Sequence, residues 1–305
     1  MNFNPYKEEI LEMISTRSPN EAGWVNIRCM ICEDLYFGSK KGLSCGVNIN
    51  TGKVKCFRCE SFSVFSELKD ETYVPELVTK DDIPTIEAPP GFVSLAHDSA
   101  LKYPRYSEAI KYAVSRKIPK ELFHELQVGV GDRFTADVEE FDETTRKLAC
   151  RLHKKIIIPI TIEGKWVGYV GRSYEDAPYM KFCNSVNSWR KHCVWNMDSL
   201  YDANLVGKPL LVMEGILDAI PYYPYAVALM GKPSREQTNL LSTVNRPIIV
   251  CLDGDATRES EALSLKLKVL GKRSSHIRLA HGEDPNSAAT EYIWSLVNQE
   301  LNLLS

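Results

Sequence analysis

A continuous apolar run, Ile248 to Leu252, stops abruptly at Asp253-Gly254-Asp255. A strand with one wet face alternates apolar and polar residues. A run that is apolar at every position is covered on both faces, which is the situation inside a parallel sheet. In open α/β sheets the ligand crevice lies outside the carboxyl ends of the strands. Asp253 and Asp255 are therefore expected together at that edge, with Gly254 turning the backbone and keeping space clear beside them. Two carboxylates so placed suit a hard divalent ion such as Mg²⁺ or Mn²⁺. The same tripeptide also makes an ordinary turn, so its neighbours must decide.

The neighbours repeat the pattern. Leu210 to Met213 reads as a strand ending in Glu214-Gly215, and a helix from Ile216 to about Tyr222 carries Asp218 one turn beyond Glu214, aiming both carboxylates at one place. A strand at Tyr225 to Leu229 follows, then a helix through Leu241 that Ser234 can cap. After the central run come a helix from Thr257 to Leu270, a strand from His276 to Ala280, Glu283-Asp284-Pro285, and a final helix from Ser287. This alternation predicts a doubly wound parallel sheet with carboxylates at three strand ends. Neither G-x-G-x-x-G nor G-x-x-x-x-G-K-[ST] occurs, which argues against a dinucleotide or P-loop domain.

At the other end, Cys29-Met-Ile-Cys32 is answered by Cys56-Phe-Arg-Cys59. Two such knuckles can supply four thiolates to one tetrahedral Zn²⁺. The intervening residues read as β at Leu35 to Phe37, Gly42 to Ile49 and Lys53 to Phe57, with a hairpin turn at Asn50-Thr51-Gly52: a zinc ribbon. Cys45 is the rival fourth ligand. The alternatives are reduced core cysteines or a redox Cys-x-x-Cys, which lacks its βαβ context here. Arg28 to Glu60 holds six Lys/Arg against three Asp/Glu, and Phe57-Arg58 offers an aromatic beside a cation. Such a surface either stacks on single-stranded nucleic acid or simply solvates a small domain.

The formal net charge of -3 hides an uneven distribution. Arg146 to His192 carries ten Lys/Arg against three Asp/Glu, interleaved with aromatics, as a triphosphate or phosphate backbone requires. That block contains a strand, Ile156 to Ile162, a Glu163-Gly164 turn and a second strand, Trp166 to Val170. Before it, helices are expected at Ser107 to Arg116 and Lys117 to Leu126, a strand at Val128 to Val130 and an acidic surface loop at Asp137 to Glu143. After it, a short helix is expected at Asp198 to Asn204. Glu71 to Gly91, with prolines at 75, 84, 89 and 90, reads as a linker. No apolar run approaches a membrane span, and no signal-peptide pattern opens the chain. A cytoplasmic protein without a membrane partner is expected, its nine cysteines reduced.

Met213-Glu-Gly-Ile-Leu-Asp218, Cys251-Leu-Asp-Gly-Asp255 and Gly282-Glu-Asp-Pro285 together resemble the TOPRIM domain. A zinc ribbon, then Ile158-Pro-Ile160 with Gly168-Tyr-Val-Gly-Arg172, then TOPRIM, resembles the DNA primases of the bacterial DnaG type and their phage relatives across nearly the whole chain. The resemblance implies a zinc-ribbon domain at 1–70, a linker at 71–91, a basic subdomain of the polymerase core at 92–204 and a TOPRIM catalytic domain at 205–305. It implies synthesis of short RNA primers from ribonucleoside triphosphates on single-stranded DNA, beside a separately encoded replicative helicase. Glu214, Asp253 and Asp255 take the catalytic roles in that reading. Asp218 and Asp284 join them around Mg²⁺ or Mn²⁺, and Arg172, Lys181 and Lys191 match basic positions for nucleotide and template phosphates, with Arg151 and Lys165 as weaker matches. Asn286 stands where the primase pattern often has a second acidic residue, which puts one ligand role in doubt. Competing readings are a TOPRIM nuclease or topoisomerase, and a non-catalytic recombination mediator of the RecR type.

Overall fold

The computed structural model describes residues 3–15, 17–20, 23–32, 44–56, 59, 61–69, 83–96, 104–135, 142–176, 178–185 and 188–304. These form two compact units, Met1–Leu77 and Val78–Ser305. The expected strand at 35–37, the Phe57-Arg58 pair, most of the expected linker and most of the acidic loop at 137–143 lie outside the described residues.

The first unit opens with α1 (Lys7–Ser15), which buries Ile10 and Ile14. It packs on an antiparallel four-stranded sheet of β1 (Trp24–Ile27), β2 (Cys45–Asn48), β3 (Thr51–Cys56) and β4 (Phe62–Lys69), paired in chain order. The β2–β3 hairpin turns on Asn48, whose side-chain oxygen accepts from the backbone N–H of Asn50 and of Thr51 at 3.1 and 2.9 Å. β4 was not expected because its polarity is inverted: Phe62 and Val64 face outward while Ser63 is buried. The inversion has a local cause, since Ser63 Oγ accepts from the Phe3 N–H at 2.6 Å.

The second unit begins with β5 (Phe92–Ser94), α2 (Ser107–Ser115) and β6 (Gly129–Gly131). The strand at Phe92–Ser94 precedes the expected helices, and the expected helix at 117–126 contracts to a 3₁₀ turn, Lys120–Leu122. Next comes α3 (Glu143–Leu152), which starts where the expected loop ends and for which no helix was expected; Asp142 caps it by accepting from Thr145 N–H at 2.9 Å. β7 (Lys155–Ile162) and β8 (Lys165–Ser173) form the expected hairpin and close an antiparallel sheet in the order β5-β6-β7-β8. The expected helix at 198–204 resolves into two 3₁₀ turns, Met197–Leu200 and Ala203–Leu205.

The chain then alternates β9 (Leu210–Met213), α4 (Ile216–Ala219), β10 (Ala226–Ala228), α5 (Arg235–Ser242), β11 (Ile248–Val250), α6 (Thr257–Val269), β12 (Ser274–His276) and α7 (Thr290–Leu303). All strand pairs are parallel, in the order β10-β9-β11-β12. The last strand and last helix are displaced from the expected 276–280 and 287 onward. Ser274 and Ser275 are core residues, Ser274 Oγ lying 3.3 Å from Ser264 Oγ, so the strand carries no apolar signal. Ile248, Ile249 and Val250 are fully buried, worth roughly 1.5–3 kcal/mol each in transfer terms. Just before them, buried Arg246 donates to the carbonyls of Ser199, Lys208 and Pro209 at 2.7–3.0 Å, tying β11 to the approach to β9. The chain leaves β9 on one side for β10 and returns on the other for β11. The crevice at that reversal, outside the carboxyl ends of β9 and β11, is where such sheets bind ligands. No helix among the described residues is long and apolar enough to cross a membrane.

Candidate functional site

The first candidate centre is in the N-terminal unit. Cys29, Cys32, Cys56 and Cys59 bring their four Sγ atoms within 4.8 Å of one another. The Cys29–Cys59 and Cys32–Cys56 separations are both 3.7 Å. A disulfide needs about 2.05 Å, whereas a tetrahedron with Zn–S bonds of about 2.3 Å has edges of about 3.8 Å. The cluster is positioned to bind one structural Zn²⁺. Burial pushes the Cys29 and Cys32 thiols up from their ordinary value, so without a metal they are protonated and a metal must displace those protons. The Cys59 N–H points at Cys56 Sγ from 3.4 Å, the backbone donor that steadies a thiolate in a knuckle. Cys45, the rival ligand, is buried opposite Cys56 in the β2–β3 register and is not one of the four.

The second centre is a cleft of about 580 Å³ at the strand-order reversal of the C-terminal unit. Glu214, Asp218, Asp253 and Asp284 are among its lining residues. Glu214 follows β9 directly, Asp253 follows β11, and α4 carries Asp218. The backbone brings Asp284 in from beyond β12. There Gly254 is indispensable for a reason other than turning. A Cβ at this position would lie 1.9 Å from the Ala280 carbonyl, and its N–H donates to the Glu283 carbonyl at 2.8 Å. Asp255 is exposed and does not line the cleft, although its charge acts on Glu214 and Asp253.

These carboxyls perturb one another. Burial, then the charges of Asp253 and Asp284, push Asp218 up to about 7 against the opposing hydrogen bond from Gly215 N–H at 3.1 Å. Burial, then Glu214, Asp284 and Asp255, push Asp253 up to about 6. Glu214 is raised by burial and by Asp255. Asp253 Oδ1 is buried and has no hydrogen-bond partner among the described residues. A cluster of hard oxygen donors with mutual repulsion and one orphaned buried atom has the chemistry that fits a divalent cation.

Asn286 does not face this cluster. It is buried, and its Nδ2 donates to the carbonyls of Arg116 at 3.0 Å and Leu217 at 2.6 Å. The residue pins the backbone beside Asp218 to the end of α2.

The same cleft is lined by Arg116, Arg172, Lys181 and Arg190, with Arg116 near enough for its charge to act on Asp218. Arg172 is the penultimate residue of β8, and residues 181–183 pair with the same end of that strand: Ser173 N–H to the Lys181 carbonyl at 3.0 Å, and Cys183 N–H to the Gly171 carbonyl at 2.8 Å. This short ladder delivers Lys181 and Phe182 to the site. Lys191 is exposed and does not line the cleft; its neighbour Arg190 does. The Arg190 segment is held by buried Gln237 of α5, whose Nε2 donates to the carbonyls of Leu229, Cys193 and Arg190 at 2.8, 2.9 and 3.3 Å. Lys165 starts β8, at the far end from Arg172, about 23 Å away at ~3.3 Å per residue. Arg151 sits on α3, exposed and away from the cleft.

Sequence reasoning missed Arg116 and Arg190. Arg190 was visible inside the Trp189-Arg-Lys-His192 run, but nothing there distinguishes it from Lys191. Arg116 is the residue that caps the end of α2, four positions beyond Tyr112; no linear signal ties that helix end to a distant sheet edge.

A parallel sheet and an antiparallel sheet in one unit, with carboxyls and cations lining a shared cleft, together with a four-cysteine cluster elsewhere in the chain, define the class. Among solved structures, the DnaG catalytic core shares this fold with a TM-score of 0.52 at 20% identity, over 66% of this chain and 75% of that one. The RNA polymerase domain of Mycobacterium tuberculosis primase DnaG does so at 0.51 and 20%, over 66% and 78%. A structure of the DnaG primase catalytic domain bound to single-stranded DNA matches at 0.52 and 20%, over 66% and 76%. In sequence, a DNA primase of Buchnera aphidicola subsp. Baizongia pistaciae is 31% identical over 151 residues, covering 45% of this chain. The chain spans about a quarter of that relative, 26% of its length. No protein-family model matches. The chain thus has structural and weak sequence homology to the DnaG-type primase catalytic domain, with an N-terminal four-cysteine zinc-binding cluster.

Proposed function

We propose that this protein is a DNA primase that joins ribonucleoside triphosphates into short RNA primers on a single-stranded DNA template. The observation that carries the reading is the cleft itself: four carboxyls and four cations line it together, at the strand-order reversal of a DnaG-like fold. The parallel sheet is read as a TOPRIM domain within 205–305 and the antiparallel sheet as the basic part of a polymerase core within 92–204. The ribbon at 1–70 helps read the template start site.

Asp218, Asp253 and Asp284, with Asp255 at the margin, would hold Mg²⁺ or Mn²⁺, and Glu214 would share a ligand or take the proton from the attacking 3′ hydroxyl. Such an ion, when bound, supplies Lewis acidity to the attacking hydroxyl and the leaving pyrophosphate. Glu214 suits proton acceptance because burial and Asp255 raise its basicity above that of an ordinary glutamate. Arg172, Lys181 and Arg190 neutralise the triphosphate, and Arg116 partly offsets the charge on Asp218. Template, nucleotides and a replicative helicase are the partners this reading needs, in a cytoplasmic setting.

The test is incorporation of labelled ribonucleotides on a pool of single-stranded DNA templates, with Asp253→Ala alongside. Short RNA products from the wild type alone support the primase. Cut DNA would assign the carboxylates to a nuclease, and inactivity with Mn²⁺ and a helicase present would favour a binding module.

A further inference from the structure

Arg172 is held on three sides by this chain. Its Nε donates to Tyr112 Oη at 3.1 Å, and its Cζ sits 4.4 Å from the centre of the Phe182 ring. The β8 backbone fixes its root, where Arg172 pairs with Ile156 on one side and Phe182 on the other. Among the described residues no other hydrogen bond reaches this guanidinium. The Nε is spent inside the protein, the face is covered by a ring, and the two terminal amino groups remain to serve the cleft that Arg172 lines. A planar guanidinium restrained at Nε and stacked on one face presents its amino edge in one orientation, the geometry required for a bidentate grip on a phosphate.

We infer that Tyr112 is a positioning residue: it aims the terminal fork of Arg172 at the phosphates of the bound nucleotide, with Phe182 as the second restraint. Tyr112 reaches the site from α2, sixty residues earlier in sequence. Without its hydroxyl the guanidinium keeps its charge and its stacking but is free to rotate about its last bonds, and ordering it then costs binding free energy. A lysine at position 172 has no plane to orient, so its affinity is indifferent to the tyrosine hydroxyl. The inference rests on the nucleotide-binding role proposed for the cations that line the cleft.

The experiment is a double-mutant cycle on the full, zinc-loaded chain, reading the Kd for Mg-ATP by calorimetry without template. Tyr112→Phe should weaken binding roughly three- to tenfold in the wild-type background, the span of one ordinary net hydrogen bond. In the Arg172→Lys background it should change Kd by less than about twofold. With template present, Tyr112→Phe should raise the nucleotide KM more than it lowers kcat. Equal losses in both backgrounds, or no loss with Arg172 intact, overturn the assignment. If Arg172→Lys itself binds Mg-ATP like the wild type, the phosphate role of Arg172 falls as well. If Arg172→Lys weakens binding and Tyr112→Phe does not, only the positioning role falls. Should Tyr112→Phe melt early, Phe182→Leu reads the second restraint through the same cycle, with the same outcomes.

Discussion

The carboxyl cluster makes a prediction that needs no substrate. Asp218 is held at about 7 by burial and by the charges of Asp253 and Asp284, against an ordinary aspartate value of 3.8. Its pKa is raised in the folded state, so the folded protein binds the extra proton. Its contribution is fully favourable below pH 3.8 and is lost as the pH rises toward 7. A displacement of about three units corresponds to about 4 kcal/mol of destabilisation once the group is ionised. Asp218→Asn removes the charge and preserves the shape, and its amide oxygen can still accept from Gly215 N–H. In chelator at pH 8 the variant should unfold at higher denaturant, by roughly 2–4 kcal/mol, and the two proteins should converge near pH 4. Added Mn²⁺ should then stabilise the wild type and leave the variant nearly unmoved, because the cation replaces the missing compensation. The assay is urea unfolding followed by tryptophan fluorescence at pH 4, 6 and 8, with chelator and with metal. A pH-independent difference, or a wild type that is the more stable protein at pH 8 without metal, would refute the reasoning.

Other outcomes follow from single contacts. Cys29→Ser and Cys56→Ser should each release the zinc, measured as metal per chain; retention of one zinc in both would sink the ribbon assignment. Asn286→Leu removes two hydrogen bonds and leaves the Arg116 and Leu217 carbonyls unpaired, costing about 2–3 kcal/mol of stability by denaturant titration. Gly254→Ala places a Cβ against the Ala280 carbonyl and should lower both stability and metal affinity, since the Asp253 and Asp284 backbones must move apart; unchanged Mn²⁺ binding would contradict this. Arg190→Ala should raise the nucleotide KM several-fold in the primer assay, while Lys165→Ala, at the far end of β8, should change it less than about twofold. Equal effects would mean the cleft extends along the hairpin.

The features legible in the linear chain are those written by short-range rules. Cysteine spacing is one: two knuckles and a hairpin close a tetrahedron almost regardless of what surrounds them. The β7–β8 hairpin was legible from its apolar strands around Glu163-Gly164. The order of strands and helices after residue 210, and the carboxylates after β9 and β11, followed from apolar runs ending in acid. So did the start of α5, where Ser234 accepts from Gln237 N–H at 2.9 Å.

Tertiary structure decided what those rules cannot carry. β4 and β12 hide because Ser63 and Ser274 are buried by partners far away in sequence, which reverses or erases the polarity on which periodicity depends. Asn286 looked like a weakened metal ligand, yet its amide is engaged by two backbone carbonyls. Arg190 and Lys191 are equivalent as letters. Gln237 of α5 holds the segment that carries them, and the cleft takes Arg190. Charge and propensity belong to a residue, but the direction in which a side chain points into a shared cleft belongs to the backbone that neighbours hold in place. Local patterning therefore announced the acids, of which Glu214 and Asp253 follow their own strands, and left the choice of cations to tertiary contacts.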